Sequence, residues 1–166
     1  AEKRKTIAWH PGGIMFELGC HLIDMVHLLL GPPSRVTSVL RHDAAQDDGL
    51  VDNALAILQY EQGMAVIETA AMEVDAFPGR RFKVCGPDGK IVLEPLEPPH
   101  ARLHLRRSVD DFKAGKHEIE LEDVPRHVRD FEDLARCIRG EAQFAYSKQH
   151  DLEVQRTVLV ASTPNS

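Results

Sequence analysis

Cysteine is scarce in this chain: only Cys20, Cys85 and Cys137 occur among 166 residues. They are odd in number, far apart and without a C-x-x-C spacing. That excludes a disulfide framework and a cysteine zinc site, and it favours a reducing, cytoplasmic setting. No apolar run reaches the roughly 18 residues of a membrane span. Basic charge is not in excess either, since 20 Lys and Arg stand against 26 Asp and Glu for a net charge of -6. A nucleic-acid footprint needs the opposite balance. Arginines gather at Arg80-Arg81 and at Arg102, Arg106 and Arg107, but acids surround them, as on a solvated face. The first residues, Ala1 to Ile7, carry neither an initiating Met nor the apolar core of a secretory signal, which reads as a fragment of a longer protein.

What is present is an ordinary globular balance, 43% hydrophobic and 28% charged, enough for a single domain over 1–166. Gly12-Gly13 opens a long apolar stretch that stops at Gly31-Pro32-Pro33, so a helix is expected from about Ile14 to Leu30. Arg35 to Arg41 alternates and is rich in Val and Thr, as a strand is. Three hairpins follow. Asn53 to Tyr60 and Met64 to Met72 flank a turn in which Gly63 suits a positive φ. Arg81 to Cys85 and Lys90 to Glu94 flank Gly86-Pro87-Asp88-Gly89, where Gly89 suits the left-handed position. Ala101 to Arg107 and His117 to Leu121 form the third pair. Val128, Phe131, Leu134, Ala135 and Ile138 recur at helical spacing, and a last helix is expected from His150. Helix, then hairpins, then helices implies an α+β fold: a predominantly antiparallel open sheet with helices packed on one face.

The first helix carries the candidate chemistry. On a wheel of about 100° per residue, His21 lies about 40° from Glu17 and Asp24 about 20° to its other side. Leu18, Leu22, Met25, Val26, Leu29 and Leu30 fill much of the remaining arc, so this polar stripe faces a cleft or a buried partner. Glu17 and His21 are one turn apart. A carboxylate there can orient the imidazole, which is how a general base is prepared. Spacing alone also fits a purely structural pair. His21 and Glu17 could offer two metal ligands, but no third sits at a fixed spacing, so no metal site is assigned. The remaining histidines are expected at the surface or as satisfied core groups.

Trp9-His-Pro-Gly-Gly-Ile-Met-Phe-Glu17-Leu-Gly-Cys-His21-Leu-Ile-Asp24, followed by Leu28-Leu-Leu-Gly31, resembles the hallmark of the Gfo/Idh/MocA oxidoreductases. In that family a Gly-Gly pair, an acid and x-Gly-x-His-x-x-Asp close in Leu-x-Gly, and the element order of the C-terminal domain also corresponds. The resemblance implies NAD- or NADP-dependent hydride transfer on sugars, polyols or similar small molecules. It implies that His21 takes the hydroxyl proton and that Glu17, where the family more often has Asp, orients His21 or touches substrate. Asp24 matches the second acid, which braces the helix or binds substrate. Trp9 and His10 fall where the family's chain enters the substrate cleft.

The family's nucleotide-binding half is not in these residues: no Gly-x-Gly-x-x-Gly loop and no Glu-Lys-Pro occur. The expectation is therefore a C-terminal substrate and dimerisation domain, not competent alone, with the cofactor bound mainly by an N-terminal Rossmann domain. Homodimerisation through a sheet face is expected, with Ala54 to Leu58 and Ala65 to Ile67 as the apolar positions. Two other readings compete. One is a non-catalytic binding or assembly module that keeps the fold without the chemistry; the other is a cofactor-independent enzyme, such as a metal- or His-dependent lyase.

Overall fold

A computed structural model describes residues 2–122, 124–125 and 127–164. The chain forms two compact units. The first joins residues up to Met72 with those from Ala145 onward, and the second is the stretch from Glu73 to Phe144.

In the first unit the basic lead-in is itself a helix, α1 (Glu2–Ala8). The long helix then begins as a π turn (Met15–Gly19) and continues as α2 (Cys20–Leu30). Three antiparallel strands follow in the order β1 (Arg35–Arg41), β2 (Asn53–Tyr60), β3 (Gly63–Ala70). Helix α5 (Lys148–Ala161) completes the unit, two residues longer at its start than expected. Ser147 caps it by accepting the backbone N–H of His150, which satisfies one of the free amides of the first turn.

Strand period two decides which face of this sheet is core. Ala54, Ala56 and Leu58 of β2 are buried, as are Ile67 and Thr69 of β3 and Ser38 of β1. The register pairs Ala56 with both Ser38 and Ile67, so these residues share one face. That face meets the helices: Ser38 donates to the Thr163 carbonyl at 3.1 Å, just past α5. Met15, Ile23, Leu50 and Val158 fill the core with Leu58. Each such side chain contributes about 1.5–3 kcal/mol of burial free energy. The apolar positions expected to form a dimer face, Ala54 to Leu58 and Ala65 to Ile67, are thus corrected in part, since Val66 stays on the outer face. Their alternating buried members point inward, and the opposite face carries Val39, Met64 and Val66, which are 54–70% exposed.

The second unit is an antiparallel meander, β4 (Phe82–Gly86), β5 (Gly89–Leu93), β6 (Ala101–Leu105) and β7 (Gly115–Ile119). It also holds the short α3 (Ala76–Gly79) and α4 (Val128–Ile138). The fold is α+β and antiparallel as expected, but the seven strands among the described residues divide into two open sheets.

Two turn glycines differ from expectation. Tyr60 pairs with Gly63 and Gly86 with Gly89, so both loops are two residues long and both glycines end strands. Neither has a positive φ. Gly89 is needed for a close approach: a Cβ there would lie 2.5 Å from the His104 carbonyl oxygen of β6.

Candidate functional site

The glycine pair that opens the long helix is a packing device. Gly12 has φ 72° and a Cβ on it would lie 2.5 Å from Ser162, just beyond α5. Gly13 has φ 47°, and a Cβ there would overlap the Val51 carbonyl. The same carbonyl accepts the Ile14 N–H at 2.9 Å. Only residues without side chains let the helix start this deep between the last helix and the β1–β2 loop. Gly19 serves the π turn similarly, because the buried Met15 sulfur occupies the space its Cβ would take. A π turn advances less per residue than an α turn, so the ideal wheel does not carry over between Glu17 and His21.

Glu17 and His21 are both exposed, on a helix anchored by the buried Met15, Ile23 and Val26. Among the described residues no hydrogen bond joins their side chains, so the expected acid–imidazole contact is not made in this state. Cys20, between them, donates its thiol to the Glu17 carbonyl at 3.4 Å. Desolvation of that thiol raises its pKa, so it stays protonated. His10 stacks on Phe16, with ring centroids 4.9 Å apart, which brings it beside the π turn. Trp9 projects from the end of α1 at 86% exposure.

Asp24 has the partner that sequence spacing could not reveal. Its Oδ1 accepts the His150 Nε2–H at 2.7 Å. The Tyr146 ring stacks on His150 at 5.5 Å, and the His27 ring meets it edge-on at 6.3 Å. His27 is buried, and its Nε2 lies 2.9 Å from the Thr157 hydroxyl. That hydroxyl spends its proton on the Glu153 carbonyl, so His27 must be the donor. Burial, with His150 nearby, lowers the His27 pKa and keeps the ring neutral. His27 is the satisfied core histidine expected; His150 is part of the polar stripe.

A second group escaped sequence reasoning. Arg4 of α1 binds Asp48 at 2.6 Å and Asp52 at 2.9 Å. The Asp52 side chain is fully buried and also accepts the amides of Asp43 and Ala44. His42 donates from Nδ1 to the Leu50 carbonyl at 2.7 Å. This network ties α1, and with it Trp9 and His10, to the β1–β2 loop. Arg4 lies more than 40 residues from Asp48 and Asp52, so their pairing leaves no periodic trace.

Residues 3–161 match the model of the oxidoreductase family C-terminal alpha/beta domain, the Gfo/Idh/MocA type. The chain belongs to this family. Comparison with curated proteins gave no match. Among solved structures, a Gfo/Idh/MocA-like fold recurs in a Desulfitobacterium hafniense protein inferred to be an NADPH-dependent oxidoreductase. The two share 20% identity with a TM-score of 0.72, covering 92% of this chain and 45% of that one. A UDP-N-acetylglucosamine 3-dehydrogenase from Acidithiobacillus ferrooxidans aligns with TM-score 0.70 and 19% identity, over 86% of this chain and 44% of that one. An Agrobacterium radiobacter oxidoreductase, solved with NAD+, L-tartaric acid and magnesium, gives TM-score 0.68 and 15% identity over 87% and 44%. The chain thus spans less than half the length of these structures.

The glycines that open the long helix are packed against Ser162 and Val51, leaving no open cradle for a pyrophosphate. No group of three or more His, Cys, Asp or Glu among the described residues is arranged to hold a metal ion. No described helix is long and apolar enough to cross a membrane.

Proposed function

We propose that residues 1–166 act as one substrate-side C-terminal domain of an NAD(P)-dependent oxidoreductase whose substrate is a sugar, polyol or related small hydroxy compound. The observation that carries this reading is the exposure of Glu17 and His21 on a helix whose opposite face is locked into the core. Two titratable groups are thereby presented on a rigid element, which is what positioned proton transfer needs. His21 accepts the hydroxyl proton when the carbinol is oxidised. Glu17 orients His21 once substrate is bound, or meets a substrate hydroxyl itself; apo geometry is often looser than that of the complex. Asp24 accepts a further hydroxyl, and Trp9 and His10 line the approach. NAD or NADP, bound mainly by residues outside this chain, supplies the hydride acceptor.

The sugar-nucleotide dehydrogenase and the NAD+ complex among the structural neighbours support this substrate and cofactor class. All three cysteines are free, in keeping with a reducing, cytoplasmic location. The subunit pairs with a second copy through the outer sheet face bearing Val39, Met64 and Val66.

The test is His21→Asn in the full-length protein, with NAD(P)H absorbance followed against a panel of sugars and polyols. Loss of a positioned base lowers kcat about 10²- to 10⁴-fold. Unchanged turnover by the variant would remove His21 from the mechanism.

A further inference from the structure

The polar stripe of the long helix does not end on that helix. Asp24 and His150 are 126 residues apart, yet the His150 Nε2–H meets Asp24 Oδ1 at 2.7 Å. The imidazole is held from three directions. Its backbone is fixed in the first turn of α5 by the Ser147 cap, Tyr146 stacks on one face, and His27 abuts it edge-on. Its side chain is 19% exposed, whereas Asp24 keeps 46% of its side-chain surface open. One carboxylate oxygen is therefore engaged on the protein side while the group as a whole still reaches solvent. A carboxylate has about four acceptor sites, so capacity remains for a ligand.

We propose that His150 is a positioning residue: it holds Asp24 in a single rotamer so that the open side of the carboxylate accepts a substrate hydroxyl on the same stripe as His21. This rests on Asp24 being a substrate ligand, as stated under the proposed function. The physical gain is preorganisation. A side chain already held by an N–H···carboxylate bond gives up little freedom when the ligand arrives, so binding is tighter than to a freely rotating acid. The aromatic surroundings matter because they stop His150 from following Asp24 if the carboxylate swings away. Since His150 does not touch the reacting atoms, its effect belongs in KM more than in kcat.

The experiment uses the full-length enzyme and two substitutions of opposite logic. His150→Phe keeps a ring against Tyr146 and removes the donor. His150→Gln removes the ring and keeps an N–H that can reach Asp24. His150→Phe should raise KM about tenfold with kcat within about twofold, and His150→Gln should recover most of that loss. Combined with Asp24→Asn, His150→Phe should add nothing further, because both changes act through one carboxylate.

Thermal unfolding of each variant separates misfolding from mispositioning. Should His150→Phe fail to accumulate, His150→Asn, whose shorter amide stops short of Asp24, takes its place. A wild-type KM in the donor-less variant overturns the proposal, as do independent, multiplying losses in the double variant or an Asp24→Asn enzyme with normal KM. If His21→Asn abolishes turnover while His150→Phe is silent, this inference alone falls. If His21→Asn is also silent, the proposed function falls with it.

Discussion

At the scale of single residues, the family motif mixes groups that present chemistry with groups that only make room. Gly12 and Gly13 belong to the second kind, through positive φ and close backbone neighbours. Gly13→Ala is expected to destabilise the chain by about 1–3 kcal/mol, read as a lower urea midpoint. Gly31→Ala, at φ 72° but with nothing near its Cβ, carries only the backbone term and should cost less. Equal losses at the two sites would show that the contacts with Val51 and Leu50 do not matter. The glycines stand out in the sequence, but the reason for them does not, since Ser162 and Val51 reach them only in three dimensions. Asp24 is the sharper case: its spacing put it on the stripe of His21, while its partner His150 lies on another helix. Glu17 and His21 were legible as neighbours on one helix, and the expected bond between them is the part that did not appear.

At the scale of elements, local periodicity announced most helices and strands, with errors of a few residues at their ends. The π turn was invisible because the same residues and apolar spacing would also suit an α turn; the buried Met15 above Gly19 accompanies the difference. The turns around Gly63 and Gly89 were located correctly, but their glycines serve strand pairing. The Arg4 network governs how α1 and the β1–β2 loop hold together, and it responds to pH. Burial pushes the Asp52 carboxyl up, but Arg4 and two backbone amides outweigh it and hold it below the usual range. Arg4 likewise lowers Asp48, and Arg41 with Asn53 holds Asp43 down at about 2.

Carboxyls depressed in the folded state contribute stability above their unfolded pKa, about 3.9, and lose it as pH falls through the folded values. Urea midpoints should therefore drop below about pH 4, and Arg4→Ala should flatten that limb. His42 has the opposite sign. Its bond to the Leu50 carbonyl raises its pKa, so its contribution is complete below about 6.5 and fades as pH rises past the folded value. His42→Ala should remove a shallow decline that sets in as pH rises above about 6.5. Asp52→Ala leaves Arg4 without its buried partner and should cost about 3 kcal/mol at neutral pH, measured by the same titration.

At the scale of the whole molecule, the corrected sheet face sets the expectation for assembly. Val66→Asp puts a charge on the outer face of β3, away from the core, so the variant should still fold and unfold cooperatively. It should also shift sedimentation from dimer to monomer. A variant that still sediments as a dimer would move the proposed interface elsewhere. Fold class was legible from element order alone, because a run of hairpins between helices has few solutions. The division of seven strands into two sheets was not, because strand patterns do not say which hairpins pair with each other.

The first unit is built from both ends of the sequence, with residues 73–144 lying between its two parts. During synthesis, then, the helix bearing His21 emerges well over a hundred residues before α5. Until α5 and the residue after it have left the ribosome, Gly12 lacks Ser162 and Asp24 lacks His150. While residues 73–144 are being made, the nascent chain carries an apolar helix and an uncovered three-stranded sheet, a state in which chaperone binding and aggregation compete with waiting. Released chains 1–140 and 1–166, probed by limited proteolysis, should differ mainly within the first 72 residues.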